Sequence, residues 1–263
     1  MRSISLGPNG LEALTGLPSQ VVREVARLTA ALRTLGRPPK LRRLDRVLLV
    51  LIALGTNLTE RALAAIFRVS QSTVHRMIAA LLPRIAGLFK PAEPEVGATL
   101  LLDGTLIPVH DQRLTRPSKN YRRSVNVQVL ATAERRVVQV GWAWPGNRND
   151  IVVARATVRL PPGYKTLTDG GYRSLPGATT PPRKRKPQPF ALFGDAKGTP
   201  DPGDDAALRE HRRVRARIEH TIARMKDWQM LCQCRRKGEA INHATTAVAY
   251  LLNTRTGAVG VLA

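Results

Sequence analysis

The chain has 263 residues, enough for one large domain or a medium domain with a smaller companion. Lys and Arg number 42 against 19 Asp and Glu, a net charge of +23, so the surface suits a polyanion and nucleic acid leads the partner classes. With 43% hydrophobic and 23% charged residues, the composition is that of a folding globular protein rather than a disordered basic tail.

The first ten residues, MRSISLGPNG, hold no apolar run of the kind a signal peptide needs. The longest apolar block, 47–54, falls far short of the ~20 residues that span a bilayer. The expectation is a soluble, cytoplasmic chain with no membrane partner. Cys232 and Cys234 are too close in sequence for an ordinary disulfide and too few for a zinc site, so they read as reduced thiols.

Residues 1–90 read as helical. Val22, Val25, Leu28 and Leu32 recur at three- and four-residue spacings across 21–35, and 44–54 makes a second apolar helix before Gly55. Thr59 can then cap a short helix from Glu60 to Phe67, Arg68-Val69 turns the chain, and Ser70 can cap a helix from Gln71 to about Leu82. Those are the dimensions of a helix-turn-helix. In its second helix Val74, Ile78 and Leu81 form the buried stripe, which leaves Gln71, Ser72, Thr73, His75 and Arg76 facing outward near the N-terminal end. Such residue types contact phosphates and base edges in the DNA major groove. Two short helices packed within a helical subdomain are the alternative reading.

KPAEPEVG, at 90–97, combines two prolines with charge and reads as a linker. The chain therefore divides into a helical helix-turn-helix DNA-binding domain over 1–90, a linker over 91–97 and a second domain over 98–263. There the period changes. ATLLLDGTLIPVH is a nearly continuous apolar run, the pattern of a strand buried on both faces, interrupted by Asp103. SVNVQVLAT and RVVQVGWAW follow as strands, completing an antiparallel three-strand meander. Trp142 and Trp144 alternate on the third and are expected to pack in the core or at the sheet edge, with base stacking as the other reading. Asp150 to Val158 makes a short helix, with Asp150 read as its N-cap, and Tyr164 to Thr168 a short strand before Asp169-Gly170-Gly171. Residues 176–206, rich in proline and carrying the basic run 183–186, read as a long surface loop. Helices over about 206–231 and 240–253 close the chain. Strands in sequence followed by helices fit a mixed α/β sheet covered by helices.

Three acids each break a local rule. Asp103 lies in an apolar strand, where an unpaired carboxylate is costly to bury. Asp169 ends a strand at a pair of glycines. Glu219 borders the packed face of an Arg-rich helix, with Arg215 at i−4 and Lys226 at i+7 on its stripe. Separately, each has a plain reading: a buried Arg partner for Asp103, a turn role for Asp169, a helix ion pair with Arg215 for Glu219. Converging in a DNA-binding protein, the three would make a hard-oxygen cage for Mg²⁺ or Mn²⁺. Two such ions about 3.5 to 4 Å apart serve in-line displacement at phosphorus.

At NLTERALAAIFRVSQSTVHRMI, LLDGTLIPV, SKNYRRSVNVQV, PGNRND, TDGGY and VRARIEHTIARMKDW the chain resembles the DDE transposases of bacterial insertion sequences, specifically the endonuclease group related to Harbinger-type elements. The resemblance covers nearly the whole sequence. It implies a ribonuclease-H-like fold, with Asp103, Asp169 and Glu219 as the catalytic, metal-binding triad and Arg215 and Lys226 holding DNA phosphates. It implies a transposase that binds the terminal inverted repeats of its element, cleaves DNA with two Mg²⁺ or Mn²⁺ ions and joins the strand to a target. The expected partners are double-stranded DNA, as transposon ends and target, and further copies of the chain on that DNA, at the bacterial nucleoid. A non-catalytic helix-turn-helix regulator or domesticated transposase, and a DNA endonuclease without strand transfer, remain the alternatives.

Overall fold

The structure, a computed structural model, describes residues 8–30, 40–91, 93–117, 123–181, 202–255 and 257. Five helices come first: α1 (Pro8–Thr15), α2 (Ser19–Leu28), α3 (Arg43–Thr56), α4 (Glu60–Phe67) and α5 (Gln71–Ala86). Strands β1 (Leu100–Pro108), β2 (Ser124–Thr132), β3 (Val137–Val140) and β4 (Trp144–Pro145) follow. After them come α6 (Asp150–Thr157), β5 (Thr166–Leu167), β6 (Ala178–Thr179), α7 (Pro202–Lys226) and α8 (Ala240–Arg255).

Helix α3 buries Val47 through Leu54 without a break, so it is the centre about which α1, α2 and α5 pack. Asn57 and Arg68, both at φ +52°, end α3 and α4 in the left-handed conformation that stops a helix. The Thr59 hydroxyl accepts from the Ala62 N–H and the Ser70 hydroxyl from the Thr73 N–H, the two caps the sequence predicts. Helix α5 runs through Pro83 to Ala86, past the expected end, because Ile85 and Ala86 of the added turn are buried. Helix α2 stops at Leu28, short of the expected 35, and residues 31–35 of that expectation lie outside the described ones.

The sheet runs in the order β3-β2-β1-β5-β6, with β4 continuing beside β2. β1 and β2 pair antiparallel from Leu100 opposite Thr132 to Pro108 opposite Ser124, β3 is antiparallel to β2, and β5 and β6 lie parallel to β1 and β5. This is the ribonuclease-H-like mixed sheet, helix-covered on both faces. Leu101, Ile107, Val127 and Val129 join one core with α3, α5, α7 and α8. Leu100, Leu102, Leu130 and Val138 join another with Ala154, Tyr172 and Leu175. The first core passes unbroken into the N-terminal helices, so the helix-turn-helix and the sheet share buried surface.

Three expectations change. The third strand breaks after Val140, because Gly141 passes so close to Thr157 that a Cβ there would lie 2.5 Å from its hydroxyl. The chain steps out and rejoins β2 as β4, leaving Trp142 62% exposed instead of packed in the core or at the edge. Within the segment read as a loop, Ala178–Thr179 pairs with β5 and α7 already starts at Pro202; the basic run 183–186 lies outside the described residues. Finally, α7 ends at Lys226 rather than near 231, where buried Trp228 begins a 3-10 turn over Gln229–Leu231. Among the described residues no helix is long and apolar enough to cross a membrane.

Candidate functional site

Side chains alternate across β1, and the alternation decides what each face can do. Asp103 turns toward α7, where Arg215 donates from Nη1 to its Oδ2 at 3.3 Å. Arg215 Nη2 also donates to Glu219 Oε1 at 2.6 Å. One guanidinium thus joins the acid of the sheet to the acid of the helix, so the two plain readings of those acids are both realised by a single residue. The geometry follows from the Arg215–Glu219 spacing of one helical turn and from Ile218 and Met225, buried between α7 and the sheet.

Asp169 follows β5, the strand that pairs parallel with β1, and its Oδ1 accepts the Gly171 N–H at 2.8 Å. That bond folds the Asp169-Gly170-Gly171 segment into a tight 3-10 turn, in which a Cβ on Gly171 would press on the carboxylate. Asp169 is close enough for its charge to reach Asp103. Burial pushes the Asp103 carboxyl up to about 6, opposed by the Gly104 N–H and the Arg215 guanidinium and reinforced by Asp169 and Asp150. Glu219 differs, its side chain being 55% exposed against 20% for Asp103. Lys226, the last residue of α7 and two turns beyond Glu219, donates from Nζ to the Leu106 carbonyl of β1 at 3.3 Å.

Among the described residues no three His, Cys, Asp or Glu side chains already stand close enough to hold a metal ion. The donor chemistry does fit a hard cation, since the three acids offer only carboxylate oxygens; in the structure the Arg215 guanidinium stands between Asp103 and Glu219.

Asp150 does not cap α6. Asn149 stands at the N-cap, without a side-chain cap bond, and Asp150 is the first helical residue. Its Oδ1 instead accepts from Asn126 Nδ2 at 2.6 Å and Gln128 Nε2 at 3.3 Å, because both amides point from β2 to that face of the sheet. Sequence reasoning passed over Asn126 and Gln128. Their signal was present: two amides at alternate positions of a strand whose nine residues are all buried. It also passed over Arg173, His211 and Arg212, which with Asp169, Leu208 and Arg215 line a cavity of about 300 Å³.

In the helix-turn-helix, Gln71, Ser72, His75 and Arg76 are exposed and Thr73 is half-buried. Thr73 Oγ1 lies 2.9 Å from Ser70 Oγ and Ser72 Oγ 3.0 Å from it, so both hydroxyls belong to the cap. His75 Nδ1 meets Glu60 Oε1 at 3.1 Å, and Arg76 Nε donates to the Ser72 carbonyl at 3.3 Å. Gln71 makes no side-chain hydrogen bond among the described residues.

Two family models match. Residues 102–253 fit the one described as DDE superfamily endonuclease, and residues 39–91 the one described as the helix-turn-helix of DDE superfamily endonuclease. The chain is also 40% identical over 222 residues to a protein of Streptomyces albus G that carries the name transposase for insertion sequence element IS112, covering 83% of this chain and 82% of that one.

Proposed function

The chain belongs to the DDE superfamily endonucleases, and from that premise we propose that it is the transposase of a bacterial insertion sequence, cutting DNA at Asp103, Asp169 and Glu219. Arg215 carries this reading: its guanidinium draws together two of the three acids from separate elements, within electrostatic reach of the third.

Asp103, Asp169 and Glu219 would hold two Mg²⁺ or Mn²⁺ ions. When bound, the metal would supply activation of the attacking oxygen and charge stabilisation of the leaving one for an in-line displacement at phosphorus. The protein's own part is placement. Arg215 supplies a planar pair of donors beside Asp103 and Glu219, suited to two oxygens of the phosphate at the cut. Lys226, docked on a carbonyl of β1, adds a point charge farther along the strand. Gln71 and Arg76 project from α5 to read the terminal repeats in the major groove, with Ser72, Thr73 and His75 beside them at the groove wall. Two transposon ends require two such sites, so the active form is a homo-oligomer assembled on DNA, in the cytoplasm at the nucleoid.

The test is a cleavage and joining assay on DNA carrying the element's ends, with Mg²⁺ and a target plasmid. The expected products are strands cut at the ends and joined through their 3′-OH to the target, with none formed by Asp103→Asn. Absence of metal-dependent cutting would overturn the reading, and cutting without joining would reduce it to an endonuclease.

A further inference from the structure

Three of the short motifs, SVNVQV, PGNRND and TDGGY, meet in one hydrogen-bonded chain on the face of the sheet opposite Arg215. The Tyr172 hydroxyl donates to Gln128 Oε1 at 2.7 Å. Gln128 Nε2 donates to Asn126 Oδ1 at 2.9 Å, and Asn126 Nδ2 to Asp150 Oδ1 at 2.6 Å. The exposures of Tyr172, Gln128 and Asn126 are 1%, 0% and 2%, so each amide has one satisfied orientation, set by its neighbour. The chain has a direction. It starts on a hydroxyl that can only donate to Oε1 and ends on a carboxylate that can only accept.

The ends of this chain are placed tellingly. Tyr172 lies three residues after Asp169, in the turn that Asp169 itself caps. Gln128 stands opposite Gly104 in the β1–β2 register, and Gly104 is the residue after Asp103. Gly104 has no side chain because the space belongs to this network: a Cβ there would collide with Asp150 Oδ1 and come within 2.5 Å of Gln128 Nε2. The network therefore runs from the turn bearing Asp169 to the back of the strand bearing Asp103.

We infer that Tyr172, Gln128, Asn126 and Asp150 are positioning residues for the DNA-cleaving centre, bracing the Asp169 turn against the Asp103 strand from behind. Asp150 works here as the acceptor that orients the relay, not as a ligand of the centre, since it lies across β1 from Arg215 and Glu219. Two acids on different elements must keep sub-ångström register to share a metal site, and β5 provides only two residues of pairing to hold that register.

The inference rests on the cleavage reading above, and one series of variants separates the two. Full-length wild type, Tyr172→Phe, Asp150→Ala, Asp150→Asn and the Tyr172→Phe/Asp150→Ala pair are compared for kcat and KM on end DNA, Mn²⁺ affinity by paramagnetic resonance, and circular dichroism. Tyr172→Phe keeps the buried ring and loses only the donor; it is expected to lower kcat roughly ten- to a hundred-fold and weaken Mn²⁺ binding while KM for DNA holds. Asp150→Ala should match it, and the pair should lose no more than either alone, as members of one unit do. Asp150→Asn retains a carbonyl acceptor for Asn126, so it should restore most of the activity and the Mn²⁺ affinity. The inference is overturned if Tyr172→Phe keeps wild-type kcat and Mn²⁺ affinity, if the losses multiply in the pair, or if Asp150→Asn is as damaging as Asp150→Ala. A wild type that neither cuts DNA nor binds Mn²⁺ sinks the cleavage reading and this inference with it.

Discussion

Arg236 reaches from the segment before α8 to Glu60, the first residue of α4, with Nη1 2.7 Å from Oε1. The same segment holds the loop ahead of α4 twice more, since Asn57 Nδ2 donates to the Gln233 carbonyl at 2.8 Å and Arg235 Nη1 to the Asn57 carbonyl at 3.4 Å. The helix-turn-helix is thus docked on the body that carries the acids. With Arg236 and Glu60 side chains 14% and 24% exposed, the pair is shielded enough that losing one partner matters.

Arg236→Ala should therefore lower thermal stability by about 1 to 2 kcal/mol, between the values for exposed and fully buried pairs. It should also loosen the fixed distance between reading helix and cutting site. Mapping the cut positions on end DNA checks this: a single sharp cut in wild type should spread over neighbouring phosphates in the variant. An unchanged cut pattern would show that the shared core alone sets the spacing.

The exposed face of α5 contains two kinds of residue that different measurements distinguish. Gln71→Ala or Arg76→Ala should reduce the preference for end-repeat over random DNA by about 1 to 3 kcal/mol, the worth of one bidentate base contact. Thr73→Val should leave that preference alone and destabilise the helix by less than about 1 kcal/mol, because it loses a hydroxyl contact to Ser70 while the Ser70 cap on the backbone N–H of residue 73 remains. Equal loss of affinity for both DNAs in the Gln71 or Arg76 variant would mean phosphate contacts instead.

Asp103 should trade stability for chemistry in a pH-dependent way. Burial moves its carboxyl from an ordinary 3.8 up to about 6, so the folded chain holds this proton more tightly than the unfolded one. Between about pH 4 and 6 stability then falls as pH rises, and at pH 7 the ionised group costs on the order of 3 kcal/mol. In EDTA, Asp103→Asn should accordingly melt several degrees above wild type at pH 7, with the gap closing toward pH 4, while abolishing metal-dependent cleavage. A variant less stable than wild type at pH 7 would mean that the Arg215 pairing outweighs burial.

What the sequence revealed and what it hid divide along physical lines. Asp103 was visible because a lone acid in an apolar strand has few reasons to be there, and Thr59 and Ser70 because capping is local. Arg215 bridging two acids was not visible: helical spacing pairs it with Glu219, but only the packing of α7 on β1 pairs it with Asp103. The break after Val140 was hidden for the same reason, since it depends on a close approach of Gly141 to Thr157, far from it in the chain. Asp150 misled because Asp at a helix start usually caps; here two buried amides, 22 and 24 residues away in sequence, compete for it and win.

Glu219 and Lys226 lie two turns apart on α7 but should fail differently when changed. Glu219→Gln should lose cleavage at every Mg²⁺ concentration, because an amide is a poor substitute for a carboxylate at a hard cation. It also leaves Arg215 with Asp103 as its remaining acid partner, so the fold should hold. Lys226 is docked on the Leu106 carbonyl, a neutral group, and its ammonium still carries a full charge to offer DNA. Lys226→Ala should therefore reduce the slope of log affinity against log salt by roughly one unit for end DNA, the counterion equivalent of one phosphate contact. Binding isotherms at four or five salt concentrations check this directly. If the slopes of wild type and variant superimpose while cleavage falls, Lys226 serves only to fasten α7 to β1; if neither changes, it has no part in the site.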